Sequence, residues 1–119
     1  MSDEFFRVAK LEINQELKEI KEILKSCLDD LDVAKNSNNL EQHMHKIKGL
    51  APMMGKEDVG SLAKSLDLIL KKLVSGKKVQ GFIGPLNSSI DQMILAMDKQ
   101  YDLGSIQKQI SDISLKIID

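Results

Sequence analysis

The sequence predicts an all-α fold: an up-down four-helix bundle with an additional C-terminal fifth helix. Three observations predict it. Apolar residues recur at gaps of three and four along the chain, and alternation with period two is never sustained. Turn-forming residues at Asn36-Ser37-Asn38-Asn39, Gly55, Ser75-Gly76, Gly81 to Pro85 and Gly104-Ser105 leave segments of helix length between them.

The first helix is expected over residues 4–35, the longest of the five, on the stripe Ile13, Leu17, Ile20, Leu24, Cys27, Leu31 and Ala34. The second, 39–53, carries Leu40, Met44, Ile47, Ala51 and Met54, with Asn39 as its N-cap. Pro52 falls late in this stripe; it cannot donate to the carbonyl of Lys48, so the helix should kink or loosen there. The third, 56–75, follows Val59, Leu62, Ala63, Leu66, Leu70 and Leu73. For the fourth, 82–101, Pro85 suits the first turn, and Ile83, Leu86, Ile90, Met93, Ile94 and Met97 form the buried face. The fifth, 104–118, starts at Gly104 or Ser105 and repeats isoleucine at 106, 110, 113 and 117. Short connections make successive helices antiparallel.

Length and composition narrow the function. With 119 residues the chain suits a single domain, 1–119, and 42% apolar against 29% charged residues is an ordinary globular balance. A net charge of −1 argues against wholesale binding of a nucleic-acid backbone. The single cysteine, Cys27, excludes an internal disulfide and fits a reducing compartment. No apolar run is long enough to span a bilayer, so a cytoplasmic location without membrane contact is expected. There is no GxxxxGK[ST] or other glycine-rich nucleotide loop, so phosphate chemistry would have to borrow its nucleotide.

Chemistry concentrates on the second helix. On a wheel of 100° per residue, His45 lies about 140° from the centre of the apolar stripe, Gly49 about 180° and Lys48 about 80°. His45 therefore points to water with Lys48 and Gly49 one turn away. His43 lies about 60° off the stripe on the other flank and is semi-buried. Two histidines diverging by about 200° do not make a helical metal site, which favours i, i+3 or i, i+4 spacing, so no metal is expected. A solvent-facing glycine inside a helix costs about 0.5–1 kcal/mol relative to alanine, which suggests close approach of another molecule beside His45. Lys48 can stabilise an anion carried on the imidazole. Charge is also segregated: residues 41–80 hold eight bases and four acids, and both flanking segments are net acidic.

The run His45-Lys46-Ile47-Lys48-Gly49-Leu50-Ala51-Pro52-Met53-Met54-Gly55 resembles the H-x-[IL]-K-G-x-x-x-x-x-G signature of histidine-containing phosphotransfer (HPt) domains. The similarity continues from Leu62 to Leu70 and is closest to the N-terminal domains of CheA-type chemotaxis histidine kinases. The resemblance implies that His45 accepts a phosphoryl group from a kinase's ATP-binding domain and passes it to an aspartate of a response-regulator receiver domain. It implies no bound cofactor, with ATP and Mg²⁺ supplied by the partner domains, and a monomer as an isolated domain. Whether the chain is a carrier alone or the front of a protein-histidine kinase stays open. Where CheA domains place a glutamate on the third helix, this chain has Asp67; where they commonly have a second histidine, it has Lys64. Asp67, on the border of its helix, can hold the Nδ1 proton of His45 and leave Nε2 as nucleophile, or it can simply pair with Lys64 or Lys71. Lys48 is expected to stabilise the phosphate, and Gly49, Lys46 and Lys64 to line the docking face. The alternative reading is a non-catalytic helical scaffold, in which the first stripe zips into a coiled-coil dimer.

Overall fold

The computed structural model describes residues 2–117. Its described residues are mostly helical and include no β-strand. Six helices, not five, follow in order: α1 (Asp3–Lys25), α2 (Asp30–Lys35), α3 (Ser37–Met53), α4 (Glu57–Val74), α5 (Ile83–Asp98) and α6 (Gly104–Ser114). The predicted first helix is thus two helices. Aspartates make the break. Asp29 accepts from the amide of Asp32 at 2.9 Å, and Asp32 accepts in return from the amide of Leu28 at 2.8 Å. This reciprocal capping offers the backbone a start signal in place of continued helix. The apolar stripe fails with it at Leu31, which is 64% exposed although it stands at helical spacing, while Cys27 stays buried; Leu28, in the break itself, is 87% exposed.

The same segment caps a distant helix. α5 has no side-chain cap of its own. Its opening amides at Gly81, Phe82 and Ile83 instead donate to the Asp30 carboxylate at 2.7, 2.9 and 2.7 Å. A carboxylate on three amides at a helix N-terminus satisfies orphan donors and complements the helix dipole.

Several predicted ends move. α3 starts at Ser37, and Asn36 rather than Asn39 occupies its N-cap position. α5 stops at Asp98 and α6 at Ser114, short of the expected 101 and 118; residue 118 lies outside the described residues. Pro52 sits in the last turn of α3, which runs through it and ends at Met53. The end is a Schellman motif: Lys56 donates to the Ala51 carbonyl at 2.9 Å and Gly55, at φ +85°, to that of Pro52 at 3.1 Å. Gly76, at φ +97°, ends α4 in the same way.

Packing brings α3 against α1 and α4, α5 against α1, α4 and α6, and α6 against α4. Ile13, Leu17, Ile20, Leu40, Met44, Ile47, Leu62, Leu66, Leu70, Leu86 and Phe82 are all fully buried at the common core. Each such side chain contributes about 1.5–3 kcal/mol through removal from water. Lys21 to Asp91 at 2.8 Å and Lys10 to Asp98 at 3.2 Å show α1 and α5 running antiparallel. α3 and α4 make the most extensive pairing, and they pack closely at Gly60, where a Cβ would meet the ring of Pro52 at 2.6 Å. Among the described residues, no helix is long and apolar enough to cross a membrane.

Candidate functional site

Amphipathic packing of α3 turns Leu40, Met44 and Ile47 inward, and that rotation leaves the His45 side chain 55% exposed. α4 approaches from the other side of His45. Its Leu66 and Leu70 enter the core, and Asp67 between them points toward α3 with its side chain only 2% exposed. The result is a half-exposed imidazole resting on a buried carboxylate: His45 Nδ1 stands 3.3 Å from Asp67 Oδ2. Of the two neutral tautomers, a carboxylate oxygen at this nitrogen favours the one with the proton on Nδ1, in which the Nε2 lone pair is free.

Two ammonium groups meet the same oxygen. Lys48 Nζ lies 3.1 Å and Lys71 Nζ 3.2 Å from Asp67 Oδ2. Burial pushes the Asp67 carboxyl upward, but contacts with Glu41, Lys48, Lys71 and His45 outweigh it and hold the group below the usual aspartate range. Asp67 therefore stays ionised at neutral pH. Its ion pair in turn raises the Lys71 ammonium. The second carboxylate oxygen, Oδ1, is buried and has no hydrogen-bond partner.

Sequence reasoning missed Glu41. It sits one turn before His45 on α3, its side chain 17% exposed, with Oε2 3.7 Å from His45 Nδ1. Contact with Asp67, followed by burial, raises its carboxyl above the usual glutamate range. The i, i+4 spacing of Glu41 and His45 was the available signal. An open depression beside the histidine is lined by Glu41, Gln42, His45, Lys46 and Lys71.

The other expected site residues divide. Gly49 is exposed, with open space where a Cβ would stand. Lys48 reaches Asp67 and not open solvent alone. Lys46 lines the depression, yet its ammonium stands 3.6 Å from Glu16, on α1. Lys64 is exposed and forms no ion pair among the described residues, so Asp67 pairs with Lys71 and not with Lys64. His43 faces away from His45, toward α1, with Nδ1 2.7 Å from Glu16 Oε1 and 3.3 Å from Glu19 Oε2. This contact partners Glu16, a carboxylate only 4% exposed that apolar periodicity alone would have placed on the edge of the stripe.

Among the described residues, two groups have ligand atoms close enough for one metal ion: Glu16, Glu19 and His43, and Glu41, His45 and Asp67, each set within 4.8 Å. In the second, two lysine ammonium groups already occupy Asp67 Oδ2, so a divalent cation would enter against two positive charges.

No protein-family model matches the chain, and no curated protein or solved structure matches it either.

Proposed function

We propose that this chain is a phosphotransfer domain of the HPt type, with His45 as the phosphorylated residue. In this reading α1, α3, α4 and α5 form the four-helix bundle, α2 is a short capping helix and α6 is the additional helix. One observation carries the proposal: a half-exposed histidine whose Nδ1 is held by a buried, ionised aspartate. Such an arrangement fixes the tautomer, orients the ring and presents Nε2 outward to a docking protein.

The chemistry needs little more from this chain. Nε2 attacks the γ-phosphorus of ATP held with Mg²⁺ on a kinase domain; the N–P bond forms and the bond to the β–γ bridging oxygen breaks. ADP leaves with that electron pair. The receiver aspartate of a response regulator then attacks the phosphorus and the imidazole departs with the N–P electrons, Nδ1–H retained throughout. Lys48 and Lys71 place two positive charges within reach of the phosphoryl oxygens, and Asp67 neutralises one of them. Gly49 and the lysines at 46 and 64 belong to the face on which partners dock. The domain works as a cytoplasmic monomer and binds neither nucleic acid nor membrane.

A coiled-coil scaffold is disfavoured by burial. Ile13, Leu17, Ile20 and Leu24, the stripe that would zip, are covered by the chain's own helices. Incubation with a CheA-type kinase domain and labelled ATP should give an acid-labile, base-stable phosphate on the wild type and none on His45→Gln. Equal labelling of the two proteins refutes the assignment.

A further inference from the structure

Three of the groups against Asp67 use one oxygen. His45 Nδ1, Lys48 Nζ and Lys71 Nζ all approach Oδ2. Oδ1 is buried without a hydrogen bond, and an unmatched buried carboxylate oxygen is costly. The remaining group beside Asp67 is the Glu41 carboxyl, which lies within 4.8 Å of it and offers Oδ1 a donor only when it carries a proton. We propose that Glu41 and Asp67 hold one proton between them, with Glu41 donating to Oδ1, so that Glu41 is a second positioning residue for His45. As a role in phosphotransfer this rests on the reading above.

The charges support that assignment. Facing Glu41 are Asp67 and Lys71 from α4 and His45 from its own helix, with Lys48 beyond Asp67 and Lys46 on the rim of the shared depression, its ammonium 3.6 Å from Glu16. The acids of α1, Glu16 and Glu19, face His43 instead. With Glu41 protonated, the two lysines outnumber the single negative charge of Asp67, a balance suited to an incoming phosphoryl dianion. With Glu41 ionised, a second negative charge stands 3.7 Å from the imidazole and opposes that group. Asp67 with Oδ1 satisfied is fixed in place and keeps Oδ2 on the Nδ1 proton. The raised Glu41 carboxyl has the direction this sharing requires.

The test reads the imidazole directly. In the full chain with ¹⁵N-labelled histidine, long-range ¹H–¹⁵N spectra report the ratio of Nδ1–H to Nε2–H tautomers of His45. Glu41→Ala should lower that ratio by roughly fivefold, the worth of one ordinary hydrogen bond. Glu41→Gln, which retains an N–H donor for Oδ1, should keep it within about twofold. An unchanged ratio in Glu41→Ala, or equal loss in both variants, overturns the proposal. Should Glu41→Ala not fold, ¹³C titration of the wild type decides: a Glu41 midpoint level with those of exposed glutamates overturns it, and one that is raised and falls back in Asp67→Asn supports it. Phosphoramidate, a small chemical donor, then separates the two readings. The expected tautomer ratios in the two variants, together with a wild type that takes no phosphate, refute phosphotransfer while leaving the shared proton standing.

Discussion

Replacing Gly60 by alanine should destabilise the protein, although the same change in most helices stabilises it. The new Cβ would stand 2.6 Å from Cγ and 2.8 Å from Cδ of Pro52, where relaxed carbon–carbon contact needs about 3.5 Å. Roughly 0.7–0.9 Å must therefore be found. A proline ring is closed onto its own backbone nitrogen, itself 3.4 Å from the same point, so little of this comes from side-chain rotation. The helices must separate. Overpacking of this kind costs about 1–3 kcal/mol, and alanine returns about 1 kcal/mol of helix propensity. A net loss of about 1 kcal/mol is expected, reaching about 2 if the interface yields poorly. Gly49→Ala is the control: nothing lies within 4 Å of its Cβ position, so a gain of about 0.5–1 kcal/mol is expected. Urea unfolding followed by circular dichroism measures both. If Gly60→Ala gains stability as Gly49→Ala does, the close packing of α3 on α4 has been misread.

Asp30→Ala should cost about 2–3 kcal/mol by calorimetry or urea titration, because three amides at the start of α5 lose a charged acceptor; a loss under about 0.5 kcal/mol would mean that water serves those amides equally well. Glu41 should leave a mark on stability against pH. Its carboxyl is raised in the folded state, so the stability it adds is complete below about pH 4, near the ordinary glutamate value, and is lost as pH rises through the folded value. Relative to Glu41→Gln, the wild type should thus be at its best near pH 4 and lose ground above it; a flat difference contradicts the raised carboxyl.

Helices were legible because burial on one face imposes a period that composition cannot hide. Residues such as Ile13, Leu17 and Ile20 announced α1, and Leu62, Leu66 and Leu70 announced α4. The break after Lys25 was less legible for a physical reason. Cys27 and Leu31 continue the spacing, and it is local hydrogen bonding that stops the helix, Ser26 turning back onto the Ile23 carbonyl and Asp29 and Asp32 competing for backbone amides. An aspartate three residues after another was the signal, and apolar counting outvoted it. The role of Asp30 was invisible in principle: its amide partners lie some fifty residues away, and no local pattern encodes that meeting.

At the site the distinction is the same. The outward direction of His45 follows from the phase of one helix, so the sequence carries it. Its meeting with Asp67 depends on how α4 slides along α3, which no single-helix pattern determines. Pro52 and Gly60 make that register intelligible. Seven residues back from Pro52 along α3 stands His45, and seven residues on from Gly60 along α4 stands Asp67, so both pairs lie in one antiparallel register. Seven residues are two turns, about 10 Å. The proline that looked like a flaw in a helix is a spacer against a glycine, and the 3.3 Å contact between Nδ1 and Oδ2 lies two turns from it on the same interface. Opening the helices at Gly60 should therefore loosen the grip of Asp67 on the imidazole before it unfolds the chain, which makes a structural glycine a determinant of the chemistry of His45.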